Sequence, residues 1–298
     1  MMRKLAYYLI IGLLSIVSIL PLKVHYFFAD ITAFFLHKVI RYRYSTIVTN
    51  IARSFPEMRY GDIKKLTKKY YAHLADIIAE AIWAYGHSTA TIGKRTFIEG
   101  TDDLNRACDL NKNVIIMMGH TGNWEVFTGL PSLRDVYGIN LENNNFVYAY
   151  KRQRSKLSEM LIERIRNKHK TCSTVDTKNI VRHILENRKG RNVYFLICDQ
   201  NPEKSKSNMV VDFLNQKTYM IEGPEKIAAK LGMPIVYCGL YQIRRKKNVA
   251  RFEMICEDAS KCEPGEATKI YVEKLQRDIN NYKESWLWSH KRWKKYIA

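Results

Sequence analysis

The segment Met118-Gly119-His120-Thr121-Gly122-Asn123-Trp124-Glu125 places an imidazole and a carboxylate five residues apart between two glycines and a buried-looking strand. A carboxylate on one imidazole nitrogen fixes the tautomer and stabilises the imidazolium. The other nitrogen is then free to take a proton from an attacking hydroxyl. On a continuous α-helix, five residues turn about 140° around the axis, so the two groups would point apart. They meet if His120 sits in a turn and Glu125 in the first turn of the helix that follows. Gly119 and Gly122 permit that tight path, and Thr121 or Asn123 can cap the helix.

The spacing alone carries no weight. With 8 histidines in the chain and roughly a tenth of residues acidic, about one chance match is expected. His25 and Asp30 are such a match. They lack the glycines, the strand and the loop, and are given no catalytic role.

Context separates the two pairs. Asn113 to Met118 is a short unbroken apolar run, the pattern of a strand buried on both faces, and Gly119 ends it. Phe146–Tyr150, Val193–Cys198 and Pro234–Tyr241 read as further strands, and Phe252–Cys256 as an edge strand. Helical periods run over residues 62–86 and 157–169, and from Pro264 to Trp293. Alternating strands and helices predict an α/β fold, a mixed central sheet flanked by helices. Ligands in such sheets gather where strand ends meet loops. Two ends here are polar: Gly119-His120 and Asp199-Gln200. Asp199 either supports the His120 loop, binds an acceptor, or is an ordinary turn acid.

The N-terminus predicts a membrane anchor. Leu5–Leu20 is nearly all apolar and follows Arg3-Lys4; as a helix it reaches about 24 Å, short of a full hydrocarbon core. A small-x-small cleavage site is missing, which argues against a signal peptide. Val24, Phe27, Phe28, Ile31, Phe34, Phe35 and Val39 recur at helical steps and read either as an interfacial helix or as a core helix. We divide the chain into an anchor and interfacial helix, 1–40, and a catalytic domain, 41–298. Downstream cations, including Arg41, Arg43, Lys64, Lys65, Lys68 and Lys69, favour a cytoplasmic catalytic domain.

The net charge of +20 calls for a polyanionic partner, be it nucleic acid, anionic lipid or an acidic protein. Residues 151–170 carry eight Lys/Arg against Glu159 and Glu163, a patch suited to phosphates or an acidic carrier, or a plain solvated face. Near the C-terminus Lys291, Arg292, Lys294 and Lys295 alternate with Trp286, Trp288, Trp293 and Tyr296, which reads as a headgroup layer or as ordinary packing. Arg244–Lys247 reads as a solvated hairpin turn. The six cysteines have no metal-site spacing; Cys108, Cys198, Cys238 and Cys256 lie in apolar or helical stretches and read as reduced core thiols, with a structural disulfide as the alternative.

The block Gly119–Glu125 resembles the H-x-x-x-x-D/E block of glycerolipid-type acyltransferases. More closely it resembles the late (lauroyl/myristoyl) acyltransferases of lipid A synthesis. Tyr150-Lys151 with Leu157–Arg166, Asp199-Gln200-Asn201-Pro202, Phe213-Leu214, Gly223–Ala228 with Pro234-Ile235-Val236, and Trp286–Trp293 resemble that family's further blocks, in order. Lys151 stands where the family usually has Arg, which forgoes the bidentate fork to phosphate. Asn281–Glu284 stands where a Pro usually precedes the Trp-rich end.

The resemblance implies direct acyl transfer from an acyl thioester, usually acyl carrier protein, to a hydroxyl of a lipid A precursor at the bacterial inner membrane. No acyl-enzyme, cofactor, metal or nucleic acid is expected. It implies His120 and Glu125 as catalytic, and Asn123, Lys151, Arg166, Asp199, Gln200 and Glu225 as substrate-binding. Alternative readings are an acyltransferase for a phospholipid or aminolipid precursor and, more distantly, a membrane-tethered nucleic-acid-binding protein, for which no recognition motif is present.

Overall fold

Short apolar runs become strands here because both of their faces are covered. The computed structural model describes residues 2–124, 126–142, 145–152, 155–167, 172–202 and 209–293. A seven-stranded mixed sheet forms from β1 (Thr96–Glu99), β2 (Val114–Met118), β3 (Phe146–Tyr150), β4 (Ser173–Asp176), β5 (Val193–Ile197), β8 (Ile235–Arg244) and β9 (Lys247–Cys256), in the order β1-β9-β8-β2-β5-β3-β4. Every pairing is parallel except the β8–β9 hairpin. A separate two-stranded ribbon pairs β6 (Val210–Phe213) with β7 (Gln216–Tyr219).

The sheet divides the core into two layers. Ile115 and Met117 of β2, Tyr194 and Leu196 of β5, and Tyr237 of β8 point to one side. They meet α3 (Tyr44–Ser54), α4 (Tyr60–Gly86), α9 (Gly223–Leu231) and α10 (Glu266–Asn281), through residues such as Ile51, Tyr70, Ile227 and Leu275. Val114, Ile116 and Met118 point to the other side, with Val193 and Phe195, and meet Leu104, Ala107 and Cys108 of α6 (Thr101–Asp109). Every residue of β2 is buried, as a central parallel strand requires.

Phe252–Cys256, expected at the sheet edge, is the C-terminal half of β9. β1 pairs only with Asn248–Arg251 of that strand, so from Phe252 onward its one strand partner among the described residues is β8, and the expected edge is present there. The helix expected over Pro264–Trp293 ends at Asn281. A 3-10 turn, Lys283–Ser285, follows, and then an extended segment. The tryptophans at 286, 288 and 293 belong to that segment. Trp286, Trp288 and Trp293 are buried against one another and against Phe213. They are packing groups, so the headgroup-layer reading is corrected for them.

Two helices precede the sheet layers. α1 (Met2–Ser18) and α2 (Leu22–Phe34) are followed by a π-helical stretch, Phe35–Val39. No single helix is long and apolar enough to cross a membrane. The pair Tyr7–Ser18 and Leu22–Val39, bent by 118°, meets that length and composition together. Helix α2 turns Leu22, His25, Tyr26 and Ala29 inward. Ala29 packs with Ala75 and Ala79 of α4, so the two backbones approach closely. The aromatic stripe, Phe27, Phe28, Ile31, Phe34 and Phe35, is the outward face. Of the two readings for this stripe, core packing is excluded.

The Arg244–Lys247 turn is a β8–β9 hairpin, but it is not simply solvated. Arg245 ion-pairs with Asp30 of α2 and Asp76 of α4 and lies 4.9 Å over the Tyr26 ring. Burial pushes the Asp76 carboxyl up to about 6, against the pull of Arg245. All six cysteines are free thiols.

Candidate active site

The register of the two central strands aligns the two polar strand ends. β2 and β5 run parallel with Met118 beside Ile197, so His120 and Asp199, each two residues further on, emerge side by side. Asp199 Oδ1 lies 2.6 Å from His120 Nδ1, and the His120 backbone amide donates to Asp199 Oδ2 at 2.9 Å. The indole of Trp286 donates to Oδ2 at 2.7 Å. Only 2% of the Asp199 side chain and 16% of the His120 side chain are exposed. Burial pushes the Asp199 carboxyl up, but the His120 imidazole and the three hydrogen bonds outweigh it and hold it at about 2. An ionised carboxylate on Nδ1 makes Nδ1 the protonated nitrogen. The Nε2 lone pair then faces away from Asp199, with the Gln200 side-chain amide 3.3 Å from it.

The C-terminal segment fixes the His120 loop from the other side. Thr121 bridges antiparallel to Trp286. Leu287 donates its amide to His120 O at 3.1 Å, and Gly122 donates its own to Ser285 O at 3.0 Å. The amides of His120 and Gly122 are therefore committed and do not serve as oxyanion donors. Gly122 has φ +55°, and a Cβ there would lie 2.9–3.0 Å from the backbone of Leu240 and Tyr241. Gly122→Ala is expected to cost about 1–2 kcal/mol in backbone conformation alone and to shift the loop. Thermal unfolding together with turnover will check this, and unchanged values in both would contradict the tight path.

Asn123 is held from below. Its Nδ2 donates to Glu80 Oε2 at 2.6 Å, while Tyr26 OH donates to Glu80 Oε1 at 2.6 Å and Gln242 Nε2 reaches the same oxygen at 3.3 Å. Glu80 is 4% exposed, so these donors compensate a buried acid. The His120 loop is thus tied through α4 to α2, the helix that carries the outward aromatic stripe.

His120, Asp199 and Gln200 are brought together. Glu125, expected beside His120, lies outside the described residues, and the carboxylate on Nδ1 is Asp199. Asn123 reaches the loop's underside, bound to Glu80. Lys151 is exposed at the end of β3, and Arg166 is carried by α7 (Lys156–Asn167).

Glu225, the other residue expected to bind substrate, is engaged within the fold. It is 5% exposed and accepts from the backbone amides of Gly265 at 2.7 Å and Thr268 at 3.1 Å and from the Thr268 hydroxyl. It therefore caps the start of α10. Gly119 packs at Leu275 of the same helix, about 10 Å further along. The reading of the residues missed Glu80 and Trp286. Glu80 sits at a helical position with no distinguishing neighbour. The indole of Trp286 belonged to a run read as helix.

This arrangement suits general-base activation of a hydroxyl: a buried, ionised carboxylate, an oriented imidazole, and an imidazole lone pair near the surface that only the long Gln200 contact shares among the described residues. No curated protein matches the sequence. The family described as bacterial lipid A biosynthesis acyltransferase has a model that matches residues 1–295, almost the whole chain, and the protein belongs to that family.

Proposed function

We propose that the protein moves a fatty acyl chain from the thioester of acyl carrier protein to a hydroxyl of a lipid A precursor, with His120 as general base. The observation that carries this reading is the 2.6 Å contact between His120 Nδ1 and Asp199. His120 Nε2 takes the proton of the acceptor hydroxyl as its oxygen attacks the thioester carbon. The tetrahedral intermediate collapses by breaking the C–S bond. The departing thiolate takes the proton back from the imidazolium, leaving an ester and a free thiol. No acyl-enzyme forms on this route. Asp199 holds the imidazole and stabilises its charged form. Glu125 remains the second carboxylate of the block and is tested by Glu125→Gln beside Asp199→Asn. Asn123, Lys151, Arg166 and Gln200 are assigned to substrate binding.

The test is mass spectrometry of lipid A from cells with and without the gene. Deletion is expected to remove one acyl chain, restored by the wild type and not by His120→Ala. Unchanged lipid A alongside an altered phospholipid or aminolipid would overturn the acceptor.

We further propose attachment to the cytoplasmic face of the inner membrane through residues 1–40. The outward stripe on α2 supports it, as do the exposed cations Lys64, Lys65, Lys68 and Lys69 on the neighbouring α4. Burying a phenylalanine contributes roughly 2 kcal/mol. Phe27→Asp with Phe34→Asp is therefore expected to weaken partition onto anionic vesicles by on the order of tenfold or more, even with α1 intact. Equal partition constants for the two proteins would remove this stripe from the membrane contact.

A further inference from the structure

We propose that Arg43 and His290 form a phosphate-binding site beside the His120 loop, with the buried Arg292 behind them supplying positive field but no contact, and that it seats a phosphate monoester of the glycolipid acceptor. The choice of acceptor rests on the acyl-transfer reading above. Binding of a phosphate ester does not.

The extended C-terminal segment brings these residues to the loop. Leu287 pairs with His120 through its amide, and the chain then runs through Ser289 and His290 to Arg292. Arg43 comes from the turn before α3. That turn holds two non-glycine residues in the left-handed region, Arg41 at φ +51° and Arg43 at φ +50°. Such strain persists only where the surroundings enforce it, and it concentrates at binding sites. Here the enforcing contacts are explicit. Arg43 Nη1 donates to Ser289 O at 2.9 Å, and Tyr71 OH donates to Tyr42 O at 2.7 Å. Asn50 donates to Trp288 O at 2.8 Å and to His290 O at 2.9 Å. The turn and the C-terminal segment are clamped together with the Arg43 guanidinium at the junction.

The charges at that junction are unbalanced. Arg292 is 0% exposed and, among the described residues, donates only to neutral groups: Thr218 Oγ1 at 2.8 Å, Tyr219 O, and Met220 Sδ at 3.0 Å. Its Nε has no hydrogen-bond partner among the described residues. Also among the described residues, no carboxylate lies within 4 Å of Arg43, His290 or Arg292, whereas Asp199 is taken by His120. A buried arginine is ordinarily paired. This one leaves a positive field that an anion would complete.

His290 reads that field. The titratable and charged groups facing it are Asp199, His120, Arg292 and Arg43. Burial comes first in holding its imidazole down at about 4, and Arg292 and Arg43 act the same way against the pull of Asp199. An arriving phosphate reverses the balance, because a close anion favours the charged imidazole. Arg43, which is exposed, supplies the planar fork that suits phosphate.

The experiment is an imidazole NMR titration of the full chain in detergent. The His290 signal is assigned by its absence in His290→Gln. Glucosamine 1-phosphate is the probe, glucosamine the control, and 4′-phosphopantetheine the probe for the donor's arm. We expect glucosamine 1-phosphate to raise the His290 pKa by about one unit or more, glucosamine to leave it unchanged, and Arg43→Gln to abolish the rise. Arg43→Lys, which keeps the charge and guards against loss of the Ser289 clamp, is expected to keep part of it. No rise in the wild type overturns the site. An equal response to 4′-phosphopantetheine overturns the acceptor assignment. The readout needs no turnover, so failure of the acyltransferase reading would show separately, as absent acyl transfer with the titration shift intact. In kinetics, Arg43→Gln is expected to raise KM for a phosphorylated acceptor about tenfold, the loss of a charge-assisted hydrogen bond, with KM for the acyl donor unchanged.

Discussion

Exchanging His120 for alanine will lower acyl transfer by on the order of 10³-fold, within the range that a general base contributes, while the protein stays folded. The loss is large because Nε2 is the only imidazole lone pair the Asp199 contact leaves open, and the Gln200 amide beside it cannot accept a proton at neutral pH. The fold survives because the contacts that position the loop are made by backbone. The residue-120 amide still donates to Asp199, and its carbonyl still accepts from Leu287. The exchange does leave Asp199 Oδ1 without its strongest donor, so a loss of a few degrees in Tm is expected alongside the catalytic loss. Single-turnover transfer from acyl carrier protein, measured beside thermal unfolding, separates the two. Activity within tenfold of wild type in a folded variant would remove His120 from the chemistry.

How much of this was readable beforehand follows from where burial is two-sided. β2, β5 and β8 are continuous apolar runs because helices cover both faces, and the sequence reading finds all three. β1 and β4, at the sheet edges, are not found. Thr96–Glu99 and Ser173–Asp176 have mostly exposed or half-buried residues, and an edge strand carries no unbroken apolar run. Trp286 and Trp293 are seven residues apart, a spacing a helix would also give, while Trp288, two residues after Trp286, does not fit that face. Only their pairing with Thr121 and their mutual packing reveal an extended segment. His120 is legible from its glycines and the strand before it. Its carboxylate partner is a different matter. Motif spacing points to Glu125, five residues away, whereas the carboxylate on Nδ1 is 79 residues away and arrives through sheet register. A parallel pairing shifted by one residue would turn Asp199 to the other face, and no local pattern fixes that register. Glu80 is harder still. Its role depends on Tyr26, Asn123 and Gln242 converging on it from three other elements.

Asp199→Asn will cost nearly as much activity as loss of the imidazole, on the order of 10³- to 10⁴-fold, and it will also destabilise the protein. Asp199 accepts from three donors: His120 Nδ1, the His120 amide and the Trp286 indole. An asparagine offers one oxygen and one NH₂ to the same surroundings, so at least one N–H faces another N–H. The imidazole relieves the clash by moving its proton to Nε2, and the base is lost. One or two buried donors left unsatisfied cost about 1–3 kcal/mol each. The pH dependence distinguishes this from a simple packing defect. In the wild type the folded carboxyl sits at about 2, below its ordinary value near 3.9. Stability from the depressed group is fully present above roughly pH 4 and is lost as pH falls towards about 2. Urea unfolding of both proteins should therefore show a gap that is constant from pH 7 to about pH 5 and narrows as pH falls below about 4, where Asp199 begins to take up its proton on unfolding. A gap that persists unchanged to pH 3 would mean that the carboxylate is not held by the imidazole. The charge relation on which the proposed base depends would then be absent.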